Sequence, residues 1–369
     1  MTAKAPLRVA IDGRALVGER TGIGVHTAEI AGRLDLATAP LIASHVRIAD
    51  RQAIDHCRFI AGRWSPTGVI WQQFIFPRIA RNDEADVVWG PHGTLPLALR
   101  LPSVVTIHDL TSMTMPRRHR IRTILSFNVF IARSLDKASA ISVVSRATGN
   151  EVMRRFGIPA EKLTLVYNGV DEIFAPAGAT SELDRFGISP HDYLLFAGTL
   201  EPRKGVSDLI SAWEALGEPR PKLVLAGGRG WGLAHLERRI APYVRERAMV
   251  LTGYVERETL RQLYSNAAVF VYPSYHEGFG LPPLEAMACG APVVTSRSGA
   301  LPEIVGDAAL LVRAGRPSEL RDAIARVLGD AVLAGELRAR GLERARRFRW
   351  EESARVMREL LEAAARKGI

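Results

Sequence analysis

The stretch YLLFAGTLEPRKGVSDLISAWEAL, residues 193–216, decides the fold class. It begins with an apolar run typical of a buried parallel strand, passes through a turn with glycine and proline, and continues as a helix. The helix is indicated by apolar residues that share one face: Val206, Leu209, Ile210, Trp213 and Leu216. A strand, a turn and an amphipathic helix form the repeating unit of a parallel α/β sheet.

The same unit recurs along both halves of the chain. Strands are predicted at 7–12, 85–90, 103–109, 140–145 and 163–169, and again at 193–198, 222–228, 248–255, 268–274, 292–296 and 308–312. This alternation predicts an α/β protein with two Rossmann-like, doubly wound parallel sheets. Ligands of such sheets bind beyond the carboxyl ends of the strands, so functional residues are expected directly after strands.

The domain boundary is predicted in the segment 171–193, which is rich in Pro, Gly, Ala and Ser and contains no clear strand. We therefore expect an N-terminal domain over 1–175, a C-terminal domain over 190–349 and a C-terminal helix over 350–369. The spacing leaves open whether this helix packs on the second domain or crosses back to the first. A length of 369 residues also favours two domains.

Composition excludes several classes of protein. The apolar fraction of 47% with 24% charged residues is that of an ordinary globular chain. No run approaches the roughly 20 apolar residues that span a bilayer. The N-terminus leads straight into a predicted strand, so no secretory signal is expected. Two cysteines indicate no disulfide framework. These features predict a cytoplasmic protein.

The net charge of +10 leaves its cause open: nucleic acid, anionic membrane, a phosphorylated substrate or simply arginine-rich solvated faces. The segment 115–134 carries five arginines and no acid. It is predicted either as a crossover helix or as a basic amphipathic helix on anionic lipid, at the inner face of the cytoplasmic membrane. Nucleic acid is not expected, because no platform with interleaved aromatic residues is visible.

The stretch HEGFGLPPLEAMACGAPVV, residues 276–294, predicts a site. A helix is expected to begin near Leu281, with prolines in its first turn, and to end at a glycine. Glu277 lies in the preceding loop and Glu285 is placed in the first turn. The helix start can bind an anion through amides of Phe279, Gly280 and Leu281. Capping of the helix and an acid–base pair of a glycoside hydrolase remain alternatives.

Two cations stand at the start of another helix, Arg203 and Lys204 in GTLEPRKG. Positive charge there opposes the helix dipole, which is expected if a bound diphosphate supplies the missing anion. A solvated charged turn is the alternative.

In the first half, a glycine loop is predicted around Gly22 and Gly24, where backbone could approach a ligand. His108 and Asp109 follow a strand directly, and either a structural or a functional role is open to them. No H-x-x-x-H, D-x-D or G-x-x-x-x-G-K-[ST] pattern occurs, so no metal or triphosphate motif is visible.

At these residues the chain resembles the retaining glycosyltransferases of family four, which have the GT-B fold of two Rossmann-like domains facing a central cleft. DGRALVGERTGIG, TIHDL, VSRAT, VYNGVD, GTLEPRKG, GYV and HEGFGLPPLEAMACGAPVV occur in the family's order along nearly the whole chain. The E-x7-E spacing of the last motif is highly specific. The motif style is similar to that of bacterial mannosyltransferases of envelope polysaccharide synthesis.

The resemblance implies a role for each matching position. The catalytic group would be Glu277, His108, Arg203 and Lys204, with the two cations on the diphosphate. Glu285 would bind the ribose. The remaining substrate contacts would come from Gly22, Gly24, Asp109, Thr199, Tyr254, Val255, Gly278, Phe279, Gly280 and Leu281. Many relatives have arginine where Thr199 stands, so Arg203 would carry more of the charge.

The resemblance also implies retaining transfer of a hexose from a nucleotide sugar to a glycan or lipid-linked acceptor in polysaccharide or lipopolysaccharide synthesis. The EPRKG run favours mannose from GDP-mannose, and no metal cofactor is expected. A glycoside hydrolase and a non-catalytic binder of nucleotide sugars are the alternatives.

Overall fold

The structure is a computed structural model that describes residues 7–18, 21–34, 40–46, 48, 54–61, 68–115, 121–232 and 234–367, with backbone only over 121–128 and 234–235. The chain divides into two compact units. The first unit comprises Met1–Gly169 together with Arg349–Ile369, and the second unit comprises Val170–Phe348.

The first unit contains a seven-stranded parallel sheet in the order β3-β2-β1-β4-β5-β6-β7. Its strands are β1 (Val9–Asp12), β2 (Leu41–Ser44), β3 (Arg58–Ala61), β4 (Val87–Gly90), β5 (Ser103–Ile107), β6 (Ala140–Val143) and β7 (Leu163–Leu165). The strand order reverses between the neighbouring strands β1 and β4, so the switch point of this doubly wound sheet lies between them.

The second unit contains a six-stranded parallel sheet in the order β10-β9-β8-β11-β12-β13. Its strands are β8 (Tyr193–Ala197), β9 (Lys222–Ala226), β10 (Met249–Gly253), β11 (Val269–Tyr272), β12 (Val293–Ser296) and β13 (Ala309–Val312). The switch point lies between β8 and β11, which pair through Val269 with Leu194 and Phe270 with Leu195.

Helices alternate with these strands. Their bounds are α1 (Gly22–Arg33), α2 (Gly68–Ile70), α3 (Phe76–Asn82), α4 (Thr111–Thr114), α5 (Ile121–Lys137), α6 (Arg146–Phe156), α7 (Ser181–Arg185), α8 (Val206–Glu214), α9 (Ala234–Arg245), α10 (Arg257–Ser265), α11 (Leu281–Ala288), α12 (Leu301–Val305), α13 (Pro317–Gly329), α14 (Ala331–Ala345) and α15 (Trp350–Lys367). Two doubly wound parallel sheets therefore confirm the predicted fold class.

The central strands are apolar throughout because helices cover them. β8 and β11 are buried at every position. α8 buries Val206, Leu209, Ile210 and Trp213, which is the face that the sequence pattern predicts.

Two strands of the first sheet escape sequence analysis. β3 is mostly exposed and begins with Arg58, so it lacks the apolar run of a buried strand. β2 is buried but only four residues long. Such a short run cannot be distinguished by pattern from a piece of buried helix.

The division after Gly169 falls before the predicted 171–193 linker and not after residue 175. The reason is that the chain bonds to residues of the second unit from Val170 onward. Val170 N donates to Phe348 O at 3.1 Å, and Arg261 Nε donates to Ala175 O at 3.0 Å. The predicted linker also contains α7.

The last helix, α15, belongs to the first unit, which resolves the alternative that the sequence left open. Trp350 is 1% exposed, and Ser353 Oγ donates to Tyr167 O at 2.5 Å. A side chain at Gly169 would meet the Trp350 backbone nitrogen at 2.3 Å, so only glycine fits beside the start of α15.

Candidate functional site

In the second unit, two turns that follow neighbouring strands meet at the switch point of the sheet. One turn follows β8 and the other follows β11. Tyr275 N donates to Arg203 O at 2.9 Å across them. Gly205 has a φ of +69°, and a side chain there would meet Pro273 O at 2.2 Å. Glycine is therefore required for the two turns to approach this closely.

This approach brings Glu277 to the two predicted cations. Glu277 Oε1 accepts hydrogen bonds from Lys204 Nζ at 2.7 Å, Ser274 Oγ at 2.6 Å and Tyr272 OH at 3.1 Å. Arg203 Nη1 lies 3.2 Å from the same oxygen. All of these bonds go to Oε1, and within the described residues Oε2 has no bond of this kind. The carboxylate is therefore held by one oxygen, and the other remains for a ligand.

The charges of this cluster oppose the effect of burial. Glu277 is 8% exposed, and burial alone would raise the pKa of its carboxyl group. The charges of Lys204 and Arg203 overcome burial and lower the pKa of Glu277 to about 2. Burial lowers the pKa of Lys204 below its usual value, and the charge of Glu277 only partly offsets this. The cluster therefore consists of an ionised carboxylate held by two cations.

The two cations have counter-charges within the protein, contrary to the prediction that a bound anion supplies them. Arg203 Nη2 donates to Glu201 Oε1 at 2.8 Å, and Lys204 pairs with Glu277. The protein itself supplies the counter-charges, so two cations near a helix start do not by themselves indicate a diphosphate.

The helix α11 begins at Leu281, as predicted. Its N-cap, Gly280, has a φ of +108°, and a side chain there would meet Leu301 Cδ2 at 2.7 Å. The prolines at the second and third positions of α11 and Gly290 after its C-terminus also agree with the prediction. The predicted placement of Glu285 in the first turn is wrong. Glu285 is the fifth residue of α11, and the first turn contains no acidic residue.

Glu285 has an environment opposite to that of Glu277. Burial raises the pKa of Glu285 to about 7, because the hydrogen bond from Tyr264 OH at 3.1 Å and the charge of Arg257 only partly offset it. One glutamate is thus ionised at all ordinary pH values, while the other titrates near neutrality.

The other predicted residues of the second unit follow strands at the same edge of the sheet. Thr199 comes two residues after β8, and Tyr254 and Val255 come directly after β10. Tyr254 is 54% exposed, and Val255 is half-buried. Gly278 and Phe279 continue the loop after Glu277, and Phe279 is 5% exposed.

The first unit places His108 in an uncharged cluster. His108 Nε2 lies 3.0 Å from Pro91 O, and since a carbonyl only accepts, Nε2 carries the proton and Nδ1 keeps its lone pair. His26 lies edge-on to His108, with ring centroids 4.8 Å apart. Burial and the neighbouring His26 hold the pKa of His108 well below its usual value.

His26 is also neutral. Its Nδ1 donates to Asn168 Oδ1 at 2.6 Å, and the residue is fully buried. Burial lowers the pKa of His26 to about 4, and the hydrogen bond to Asn168 only partly opposes this. Its Nε2 has no hydrogen-bond partner among the described residues. In the part of the chain that the structure describes, no acidic side chain pairs with His26 or His108, so both rings remain neutral.

The remaining predicted residues of the first unit have local roles. Gly22 and Gly24 lie inside the first turn of α1 and not in a loop before it. Asp109 Oδ1 accepts hydrogen bonds from Thr111 N at 2.9 Å and from Thr111 Oγ1 at 2.5 Å, which organises the start of α4. Substrate contacts by these three residues stay predictions.

Sequence reasoning missed five residues that complete the two clusters, namely Glu201, Tyr272, Ser274, His26 and Asn168. Two signals could have found them. Tyr272 and Ser274 end a predicted strand, where functional residues are expected. His26 lies on the helix that the glycine motif opens. Nothing in their spacing, however, identifies their partners.

The sequence predicts no metal site. Within the described residues, no group of three or more His, Cys, Asp or Glu side chains could hold a metal. Metal-independent catalysis stays a prediction.

No helix in the described part of the chain is long and apolar enough to cross a membrane. Residues 116–120 of the predicted membrane segment lie outside the described residues.

Comparisons with known proteins agree with this architecture. The family described as "Glycosyltransferase Family 4" matches residues 20–174, and "Glycosyl transferases group 1" matches residues 184–348. The chain is similar to O-antigen chain mannosyltransferase B of Escherichia coli, with 33% identity over 90% of this chain and 93% of that protein. It is 30% identical to the serotype-specific mannosyltransferase WbdA of Escherichia coli over 69% of this chain and 32% of that longer protein.

A solved structure shows the same fold. Anabaena HepE, crystallised with UDP and glucose, matches with a TM-score of 0.80 at 21% identity, covering 96% of this chain and 99% of that one. Family, relatives and fold agree with the resemblance carried by the motifs, and they favour a transferase over a glycoside hydrolase. The chain belongs to the glycosyltransferases of family four and has their GT-B fold.

Proposed function

We propose that this glycosyltransferase moves mannose from GDP-mannose, with retention, to a glycan or lipid-linked acceptor in the synthesis of O-antigen or a related envelope polysaccharide. The observation that carries the proposal is the Glu277 cluster, in which a carboxylate from the turn after β11 meets two cations from the turn after β8. The relatives named as mannosyltransferases of O-antigen support the choice of sugar and product.

The leaving group of the reaction is a nucleoside diphosphate. Negative charge develops on its terminal phosphate as the bond to the sugar breaks, and preorganised cations stabilise that charge most in the transition state. Lys204 has three N–H donors, of which Tyr272 and Glu277 take two. The third is available for a phosphate oxygen.

The remaining roles in the proposal are those that the family resemblance implies for these residues. Oε2 of Glu277 accepts hydrogen bonds from sugar hydroxyls, and Glu285 accepts from the ribose. His108 is neutral and offers its Nδ1 lone pair to a substrate hydroxyl. In a retaining transfer, the acceptor oxygen bonds to the anomeric carbon on the face that the diphosphate leaves. The proton of the acceptor passes to the departing phosphate oxygen.

A donor panel tests the proposal. Purified protein is incubated with GDP-mannose, UDP-glucose and UDP-N-acetylglucosamine, and thermal shift and release of nucleoside diphosphate are measured. GDP-mannose is expected to give the largest response, and the anomeric configuration of the product is read by NMR. A preference for a UDP-sugar would refute the donor assignment, and an inverted product would refute retention.

The same assay tests metal dependence. Transfer is expected to survive EDTA, because Arg203 and Lys204 take the electrostatic role of a divalent ion. Activity that is lost in EDTA and restored by Mg²⁺ or Mn²⁺ would contradict this expectation. Contact of 115–134 with anionic membrane is a separate part of the proposal, and flotation with anionic and neutral liposomes would distinguish it from a solvated helix.

A further inference from the structure

The hydroxyl of Tyr272 contacts both Lys204 and Glu277, which also pair with each other directly at 2.7 Å. We propose that Tyr272 is a positioning residue of the transfer reaction: its hydroxyl fixes the orientation of the paired Lys204 ammonium and Glu277 carboxylate. The inference rests on the proposed function, in which one group binds the diphosphate and the other the sugar.

The direction of both hydrogen bonds is determined by chemistry. Lys204 Nζ lies 2.7 Å from the Tyr272 hydroxyl and can only donate to it. The hydroxyl lies 3.1 Å from Glu277 Oε1, which is ionised and can only accept. Burial and the charge of Glu277 hold the pKa of Tyr272 well above its usual value, so the phenol keeps its proton. The hydroxyl therefore links cation to anion at every ordinary pH.

The ring that carries this hydroxyl is held rigidly. Tyr272 is the last residue of β11 and is fully buried. Its ring stacks on Phe196 at 5.7 Å and 14° and on Phe270 at 6.0 Å and 18°. In contrast, Lys204 and Glu277 both belong to turns. We therefore expect Tyr272, at the end of a buried strand, to hold these two side chains in position.

As a consequence, the two carboxylate oxygens of Glu277 accept from different groups. Oε1 of Glu277 is occupied by Tyr272, Lys204 and Ser274, which leaves Oε2 for the sugar. The same hydroxyl occupies one N–H of Lys204, which directs the remaining N–H away from the ring. Small displacements of such groups are costly, because hydrogen bonds to developing charge depend steeply on geometry.

The substitution Tyr272→Phe tests the proposal, because it keeps the stacked ring and removes only the hydroxyl. kcat/KM with GDP-mannose is expected to fall about tenfold, as for loss of a hydrogen bond to a charged group. Tyr193→Phe is the matched control. Its hydroxyl donates to Leu263 O at 2.7 Å and contacts none of the charged cluster. The control is expected to change kcat/KM less than twofold.

A second background separates positioning from a general structural role. In Lys204→Met, the hydroxyl has lost the cation that it positions, so adding Tyr272→Phe is expected to cost less than a further twofold. An equal tenfold loss in both backgrounds would show independent effects and would overturn the proposal.

A titration without substrate completes the test. The pKa of the Glu277 carboxyl, followed by NMR in the ligand-free protein, is expected to rise in Tyr272→Phe and not in Tyr193→Phe. An unchanged pKa together with unchanged kcat/KM would overturn the proposal while the proposed function stands. If the wild type transfers sugar from no donor of the panel, the proposed function fails, and the titration alone decides whether Tyr272 holds Glu277.

Discussion

Each of the two units contains a cluster of candidate site residues, and the two clusters have opposite electrostatic character. In the second unit, Glu277 is ionised between Lys204 and Arg203. In the first unit, His26 and His108 are neutral and contact each other edge-on. Burial is the largest single influence on the pKa in both places, but for Glu277 it acts against the observed shift and is overcome by the charges of Lys204 and Arg203.

The difference teaches that burial alone does not set the charge of a site. Where counter-charges lie within hydrogen-bond distance, the ionised form survives burial, as in Glu277. Where the partners are an amide and a carbonyl, as for His26 and His108, the neutral form wins. Under the proposed function, the charged cluster meets a diphosphate and the neutral cluster meets hydroxyl groups.

Removing a cation should have the largest effect. Lys204→Met is expected to lower kcat for sugar transfer roughly 10²- to 10³-fold, because the developing phosphate charge loses a preorganised donor. Binding of GDP, measured by calorimetry, should weaken as well. A smaller effect on kcat than on binding would contradict the role in the transition state.

Lys222→Met is the matched control for this change. Lys222 lies in the same unit, and its ammonium donates to the backbone carbonyl of Gly187 at 2.5 Å. Transfer by this variant is expected to remain within twofold of the wild type. A comparable loss in both variants would indicate a general effect of removing positive charge.

Introducing a charge into the neutral cluster should have an intermediate effect. Asn168→Asp places a carboxylate beside His26 Nδ1, so the pKa of His26 is expected to rise from about 4 to above 6. A cation then lies against His108, and transfer is expected to fall about tenfold at neutral pH. NMR titration of the histidine rings measures the shift.

Asn266→Asp controls for a buried Asn-to-Asp change away from both clusters. Asn266 lies in the second unit and donates to the backbone carbonyl of Gln262 at 3.0 Å. It should leave the pKa of His26 unchanged. If His26 in Asn168→Asp still titrates near 4, the neutral state does not depend on the partner, and the comparison between the units loses its basis.

The smallest predicted effect concerns stability. The carboxyl of Glu285 has a pKa of about 7 in the folded protein against a usual value of 4.5. The folded state therefore holds its proton more tightly. The stabilisation from Glu285 is complete below pH 4.5 and is lost as the pH rises through 7, by about 2–3 kcal/mol. Glu285→Gln should abolish this loss in urea unfolding at pH 4.5 and 8.

Glu246→Gln, at an exposed position of the same unit, should leave the pH dependence as in the wild type. The opposite behaviour is expected of Glu277. Its pKa is lowered to about 2, so its stabilisation is present above pH 4.5 and is lost as the pH falls toward 2. If Glu285→Gln and the wild type lose stability equally between pH 4.5 and 8, the raised pKa is wrong.

Much of the fold was predictable, because its signals are local. Strand runs and amphipathic helices occur within windows of about ten residues, and the start of α11 is indicated by its own prolines and glycine. β3 was missed because an exposed strand has no apolar run. Glu285 was placed one turn too early although the helix begins where predicted, because a turn contains 3.6 residues and Glu285 is the fifth residue of α11.

The sequence by itself determined the alternation of strands and helices, the position of polar turns after strands, and the motifs that identify the family. Tertiary structure decided the partners: Glu277 with Lys204, seventy-three residues apart in the chain, and His26 with Asn168, one hundred and forty-two apart. The physical reason is that charge and protonation depend on which groups lie within about 4 Å, and parallel sheets bring distant turns to one edge. The partners brought together in this way made the Glu277 cluster ionic and the histidine cluster neutral.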